Sequence, residues 1–133
     1  MNYAGHGSVD TWRDNLLTSA DAPAFTNGGR LPVFVMMDCL SGFFHGLYPE
    51  ESLAEALVRS PQGGAVAVWA SSGFTAPGSQ VPLNAAFIRE LFSAPARTLG
   101  EAIAAAKRQA SDSDVRRTWV LFGDPAMRLK GLP

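Results

Sequence analysis

Two nearly continuous apolar runs mark the first half of the chain. LPVFVMMDC, residues 31 to 39, follows the turn-forming NGGR, and GGAVAVWASSG, residues 63 to 73, begins with two glycines and ends in small residues. Short apolar runs bounded by glycine and proline are typical of strands that are covered on both faces, as in a parallel sheet. We therefore predict a buried strand in each segment.

The segment between these strands has the pattern of a helix. PEESLAEALVRS, residues 49 to 60, starts with a proline and two glutamates, which favour a helix N-terminus. Leu53, Ala56 and Leu57 then form an apolar stripe at helical spacing. Strand, helix and strand together predict a βαβ unit.

Two more helices and two more strands complete the predicted elements. The helices are expected at 82 to 94 and 98 to 111, and the strands at 1 to 4 and at 117 to 122, where the turn-forming GDP follows. The alternation of strands and helices predicts the α/β class with a mainly parallel sheet. Because the first strand is so short, the sheet is expected to begin in its middle.

Composition narrows the classes of function. The 133 residues are 47% hydrophobic and 17% charged, as expected for one globular domain. A net charge of −1 offers no basic patch, so we expect no nucleic-acid partner. The apolar runs are too short for a membrane span, and residues 1 to 20 lack the pattern of a signal peptide.

Cofactor and metal signatures are missing from the sequence. Neither a GxGxxG motif nor a P-loop is present. His6, Cys39 and His45 are too scattered for a structural zinc site, and a single cysteine excludes an internal disulfide. We therefore expect no cofactor and no metal ion.

A histidine and a cysteine stand at the ends of two predicted strands. His6 lies between two glycines in NYAGHGS, directly after the first strand, and Cys39 ends the second. Ligands of open α/β sheets bind beyond the carboxyl ends of the strands, where the strand order reverses. If the two strands are neighbours, roughly 4.8 Å apart, the two residues emerge side by side. An imidazole beside a thiol is the arrangement that activates a cysteine nucleophile.

Four sequence blocks resemble a known family. They cover nearly the whole chain in order and read NYAGHGS, LPVFVMMDCLSGFF, SLAEALVRSPQGGAVAVWASS and RTWVLFGDPAMRLK. These blocks are similar to the gingipain-like cysteine peptidases. The resemblance implies a caspase-like three-layer sandwich, with residues 1 to 133 as a partial catalytic domain truncated at its N-terminus. It also implies an extracellular or cell-surface bacterial protein, with His6 and Cys39 as the catalytic pair. Cys39 stands in DCLSG and not in a QAC-type pentapeptide, which argues against a true caspase.

The predicted reaction is hydrolysis of peptide bonds by a cysteine endopeptidase. Cys39 would be the nucleophile and His6 the general acid and base. The N–H groups of Gly7 and Cys39 are the expected oxyanion donors, since Gly7 has no side chain to block the approach. Asp38 either caps the strand end or, as the weaker alternative, orients His6.

Substrate contacts are predicted after the third strand. Ser71, Ser72 and Phe74 would line the cleft for a peptide or protein substrate, with Phe74 as a wall of the side-chain pocket. Ordinary packing is the alternative for each of these residues. His45 is interpreted as a surface or packing residue, and Asp124 with Pro125 as a turn.

Two other functions stay open at this point. A catalytically inactive caspase-like fragment or binding module is the main alternative, because the resemblance implies strands before the one that leads to His6, and this chain is expected to lack them. A serine hydrolase ranks last: WASSG nearly matches a nucleophile elbow, but Trp69 replaces its first glycine. The short first strand also predicts an unpaired sheet edge, self-association through that edge, and little or no activity of the chain alone.

Overall fold

A computed structural model describes residues 1–93 and 97–129 of the protein. It contains one sheet of four strands, which lie in the order β1 (Asn2–Ala4), β2 (Val33–Met37), β3 (Ala67–Ser71) and β4 (Trp119–Phe122). The first three strands are parallel, and β4 pairs antiparallel with β3. The predicted α/β class with a mainly parallel sheet is confirmed.

Strand order follows chain order in this sheet, with β1 at the edge. The described strands therefore contain no reversal of order, and a site at such a reversal stays a prediction. The parallel strands still share one carboxyl edge, where ligands of α/β sheets bind. β1 has β2 as its single partner among the described strands. Self-association through this edge remains a prediction.

Helices cover both faces of the sheet. The α-helices are α1 (Leu53–Arg59), α2 (Pro77–Leu91), α3 (Leu99–Gln109) and α4 (Ser113–Thr118), and two 3₁₀ turns span Arg13–Asn15 and Ser19–Ala24. Alternate residues of a strand point to opposite faces. Accordingly, Val35 and Trp69 pack with α2 and α3, whereas Phe34 and Val68 pack with α1. Burial on both faces explains why β2 and β3 are nearly continuous apolar runs.

Side-chain caps define where two predicted helices begin. The Ser52 hydroxyl accepts a hydrogen bond from the N–H of Glu55, and the Glu55 carboxylate accepts one from the N–H of Ser52. Thr98 and Glu101 form the same reciprocal cap on α3. These pairs satisfy N–H groups that the first turn leaves without partners. Helix α1 consequently starts at Leu53, after the proline and glutamates that predicted it.

The predicted start of α2 is wrong by five residues. The helix begins at Pro77 and includes Pro82, which the sequence pattern had placed at its first position. A proline fits the first turn best, and Pro77 already occupies that position. At the other end the helix is described as far as Leu91, and residue 94 of the predicted helix lies outside the described residues.

A short helix before the last strand was not predicted. Helix α4 starts after Asp112, whose carboxylate accepts hydrogen bonds from the N–H groups of Asp114 and Val115. It occupies residues 117 and 118, so β4 begins at Trp119 and not at the predicted Arg117. The indole N–H of Trp119 donates to the carbonyl of Met36, which ties β4 to the core.

Candidate active site

His6 and Cys39 leave the sheet side by side. In the β1–β2 pair, Ala4 lies opposite Met37, and the ladder ends where the N–H of Gly5 donates to the Met37 carbonyl at 3.1 Å. His6 and Cys39 each follow the Ala4–Met37 pair by two residues. Because parallel neighbours lie about 4.8 Å apart, the equal offset brings both residues to one point of the carboxyl edge.

The turn after Cys39 has a constrained backbone. Leu40 has a φ of 66°, in the left-handed region that residues other than glycine rarely adopt. The N–H of Phe43 donates to the Leu40 carbonyl at 2.8 Å, and the N–H of Gly42 donates to the Ser71 carbonyl at 2.9 Å. Such a conformation costs about 1–3 kcal/mol and persists where the surroundings determine it, as at many active sites.

The Cys39 thiol faces the loop that follows β3. The side chain is half-buried, and its S–H donates to the carbonyl of Thr75 with an Sγ···O distance of 3.5 Å. The buried Gln80 amide of α2 donates to the Thr75 hydroxyl at 3.0 Å. Helix α2 therefore fixes the loop residue that the thiol contacts.

His6 has a fixed backbone and an exposed side chain. Its carbonyl accepts hydrogen bonds from the Tyr3 hydroxyl at 2.8 Å and from the N–H of Arg13 at 2.9 Å. The Tyr3 ring stacks on Trp12 with centroids 3.9 Å apart. A Cβ at Gly5 would lie 2.6 Å from the Tyr3 hydroxyl, so this arrangement needs a glycine there. Among the described residues the imidazole itself has no hydrogen-bond partner.

Gly7 lies directly against Asp38. A Cβ at position 7 would be 2.5 Å from Asp38 Oδ2, so the glycine allows the two strand ends to approach closely. This contact is a second reason for the glycine, besides access to the candidate oxyanion site. Within the described residues, the N–H groups of Gly7 and Cys39 donate to no acceptor.

Asp38 is a buried carboxyl beside the candidate nucleophile. The Ser41 hydroxyl donates to its Oδ2 at 2.7 Å. Burial raises the pKa of Asp38 to about 7, and the Ser41 hydrogen bond and the nearby Trp12 indole offset part of that rise. Among the described atoms, Asp38 Oδ1 and Trp12 Nε1 lack a hydrogen bond of normal geometry. A carboxyl at the end of an apolar run was the available sequence signal, but its burial could not be read from that signal.

The residues predicted to line the substrate cleft differ in exposure. Ser71 is fully buried, and its hydroxyl oxygen lies within hydrogen-bond distance of the Gly73 carbonyl, at 3.0 Å, and of the Thr118 hydroxyl, at 3.1 Å. Its side chain is therefore not available to a substrate, in contrast to the prediction. The half-buried Ser72 donates to the Thr118 carbonyl at 3.0 Å, whereas Phe74 is 78% exposed. Phe74 also directly precedes the residue that accepts the Cys39 S–H.

Two further interpretations are confirmed by the structure. His45 is exposed, and its ring lies 4.7 Å from that of Phe43 and 4.6 Å from that of Phe44. Asp124 forms a turn, with its carboxylate accepting from the N–H of Ala126 at 2.8 Å. Both residues thus have local packing or turn roles.

An open groove adjoins His6. It has a volume of about 540 Å³ and lies between the end of β1 and helix α2. His6 lines one side, and Met37, Val81 and Ile88 give the groove its apolar character, with the Gln80 amide as a polar group. Space for a ligand side chain is therefore present next to the imidazole.

Residues 1–93 and 97–129 contain neither a candidate metal site nor a candidate membrane span. No group of three or more His, Cys, Asp or Glu side chains there could hold a metal ion. No helix in the same part of the chain has the length and apolarity needed to cross a membrane.

The sheet with helices on both faces and a His–Cys pair at its carboxyl edge defines a caspase-like α/β sandwich. The crystal structure of gingipain R (RgpB), described as an Arg specific cysteine proteinase, matches with a TM-score of 0.80 and 27% identity, covering 98% of this chain and 33% of that chain. A complex of Porphyromonas gingivalis RgpB pro- and mature domains matches with a TM-score of 0.87 and 26% identity, covering 98% and 34%. The predicted fold class is confirmed.

The family model of peptidase family C25 matches residues 1–130, and the chain belongs to this family. Gingipain R2 of Porphyromonas gingivalis is 28% identical over 145 residues, which cover 98% of this chain and 19% of gingipain R2. The chain thus spans about a fifth of the length of the curated relatives it matches. The resemblance to gingipain-like cysteine peptidases is confirmed.

Proposed function

We propose that residues 1–133 are part of the catalytic domain of a cysteine endopeptidase in which His6 and Cys39 form the catalytic pair. The observation that carries this proposal is their equal offset from the last residue pair of the β1–β2 ladder. Membership of a cysteine peptidase family supports it independently. The substrate is a peptide or protein, and the family resemblance favours a site of action outside the bacterial cell or at its surface.

The proposed residues act at successive steps of the reaction. His6 takes the thiol proton of Cys39, and the sulfur attacks the scissile carbonyl carbon to form a C–S bond. The N–H groups of Gly7 and Cys39 stabilise the oxyanion, each by roughly 3–4 kcal/mol. His6 then protonates the amine as the C–N bond breaks and a thioester remains. Water loses a proton to His6, attacks the thioester and releases the acid, after which the proton returns to the sulfur.

The substrate is proposed to cross the carboxyl edge beside the loop after β3. Phe74 and Ser72 are the proposed lining residues, because this loop also supplies the Thr75 carbonyl that the Cys39 S–H contacts. The exposed Phe74 ring offers apolar contact area one residue before Thr75, whose carbonyl contacts the thiol. Ser71 is left out of this proposal because it is buried.

A second candidate is an inactive or partner-binding role for this chain when it stands alone. Its support is the exposed His6 imidazole, which no described residue orients through a hydrogen bond. A catalytic base works only when its geometry is held within about 0.5 Å. Under this proposal the chain has little or no peptidase activity until further protein orients the ring. A fluorogenic peptide pool, assayed with this chain and with the complete catalytic domain, distinguishes the two functions.

Active-site labelling tests the proposed nucleophile. A peptidyl ketone that alkylates cysteine peptidases should modify the protein at Cys39, as located by peptide mass spectrometry. The label should disappear completely in Cys39→Ala and persist in Ser111→Ala, a control at an exposed serine outside the proposed site. Labelling of a serine, or undiminished labelling of Cys39→Ala, would contradict a thiol mechanism.

A further inference from the structure

Asp38 is a buried ionisable group that the proposed reaction does not use. We infer that the Asp38 carboxyl is a positioning residue that holds the His6 segment against the Cys39 turn. This inference rests on the proposed function of the His6–Cys39 pair. It assigns Asp38 no contact with substrate, because the side chain is fully buried.

The first support is that Asp38 joins the two segments directly. It precedes Cys39 in the chain, and its Oδ2 lies 2.5 Å from the position that a Cβ on Gly7 would take. Gly7 in turn follows His6. The carboxyl therefore packs against the backbone next to the imidazole while it belongs to the strand that carries the thiol.

A hydroxyl extends this connection by one residue. Ser41 Oγ lies 2.7 Å from Asp38 Oδ2 and 3.3 Å from the carbonyl oxygen of Ser8. One hydroxyl hydrogen cannot serve both acceptors well. A protonated Asp38 resolves this conflict, because it donates to Ser41 and leaves the Ser41 hydrogen for Ser8. Burial favours that protonated form by raising the pKa of Asp38. The relay then links the Cys39 turn to the His6–Ser8 segment.

The other carboxyl oxygen points to the same segment. Asp38 Oδ1 and Trp12 Nε1 are buried, and within the described chain neither has a hydrogen bond of normal geometry. The indole is close enough to lower the pKa of Asp38. Trp12 stacks on Tyr3, whose hydroxyl donates to the His6 carbonyl. The indole N–H near Asp38 thus belongs to a residue that packs with those holding His6.

A purely structural carboxyl would change stability but not the influence of His6 on Cys39. We therefore design a double-mutant cycle on the rate of Cys39 alkylation by iodoacetamide at neutral pH, with thermal unfolding followed for every variant. The cycle contains the parent chain, His6→Ala, Asp38→Ala and the double variant. Asp38→Asn keeps the shape of the side chain. Val115→Ala is a control that is also fully buried, but Val115 packs in the core between the sheet and helices α2 and α3.

The expected result is a strong interaction between the two substitutions. Asp38→Ala should lower the alkylation rate by about fivefold to tenfold when His6 is present and by less than about twofold when it is absent. Asp38→Asn should recover most of the rate, because an amide can still pair with Ser41. Val115→Ala should lower stability without changing the rate.

Three results would overturn the inference, and one of them also overturns the proposed pair. Equal effects of Asp38→Ala in both backgrounds, or no effect in either, would show that Asp38 does not act through His6. An alkylation rate that is unchanged in His6→Ala would instead refute the His6–Cys39 pair itself. If Asp38→Ala does not fold, Ser41→Ala takes its place in the same cycle, with the same criteria.

Discussion

The two halves of the candidate site are held in very different ways. Cys39 follows β2, which has strands on both sides, and the turn after it is bonded to β3. His6 follows β1, an edge strand of three residues with one partner among the described strands. The comparison indicates that the core of this chain positions the proposed nucleophile, whereas a few contacts at the edge of the sheet position the proposed base.

Burial follows the same division. Four of the five residues of β2 are buried, while the residues of β1 are exposed or half-buried. A strand that is packed on both faces holds its end firmly, because moving that end would open the core. The His6 loop depends on the Tyr3–Trp12 stack, two hydrogen bonds to its carbonyl and the proposed contact with Asp38.

The largest expected effect is that of removing the proposed base. In the complete catalytic domain, His6→Ala should lower turnover by a factor on the order of 10²–10⁴. Its unfolding temperature should stay the same, because the side chain is exposed and has no hydrogen bond to the described residues. The other histidine is the matched control, since His45 is also exposed. Near-normal turnover of His6→Ala in a steady-state peptide assay would remove His6 from the mechanism.

The next effect is the pH dependence of stability that Asp38, which lies between the two halves of the site, should cause. Because the pKa of Asp38 is about 7 in the folded protein and near 3.8 when unfolded, the folded state holds an extra proton between these pH values. The contribution of Asp38 to stability should be fully present below pH 4, fall as the pH rises to 7, and be lost above it, by on the order of 4 kcal/mol in total. Urea titrations at several pH values measure this dependence.

The asparagine variant isolates that dependence. Asp38→Asn cannot ionise and should lose the fall in stability between pH 4 and pH 7. Asp114→Asn, at an exposed site, should keep it. An unchanged pH dependence in Asp38→Asn would show that other groups cause it.

A smaller effect is expected from crowding the contact between Gly7 and Asp38, where the two halves of the site meet. Gly7→Ala places a methyl group 2.5 Å from Asp38 Oδ2 and should cost about 1–3 kcal/mol of stability. Gly29→Ala is the control, because a Cβ there meets nothing within 4 Å. Denaturant midpoints of the two variants give the comparison. Equal midpoints would mean that the His6 segment moves freely relative to Asp38.

The smallest effect on stability is expected at the proposed substrate loop. Phe74→Ala should change unfolding by less than about 0.5 kcal/mol, because the ring is 78% exposed. The preference of the Phe74→Ala enzyme for particular side chains, measured by cleavage of a peptide library, should nevertheless shift. Leu47→Ala is a control of nearly equal exposure, 79%, on another loop and should leave the preference unchanged. A profile that is the same in all three proteins would show that Phe74 does not contact substrate.

The sequence by itself determined the elements whose signals are local. The apolar runs of β2 and β3, the stripe of α1 and the repeated apolar positions of α3 all led to elements that the structure contains. It also determined that His6 and Cys39 follow two strands of one parallel sheet. These features depend on neighbours in the chain, so periodicity and turn residues are sufficient to predict them.

Only the tertiary structure decided how the site residues are used. Ser71 is the last residue of β3 and Asp38 directly follows β2, yet both are buried, because partners far along the chain cover them. The Ser71 hydroxyl pairs with Thr118, and Asp38 lies against Gly7. Positive φ at Leu40 likewise arises where strand, loop and helix meet. Burial depends on what packs against a residue, and those contacts join segments that no local pattern connects.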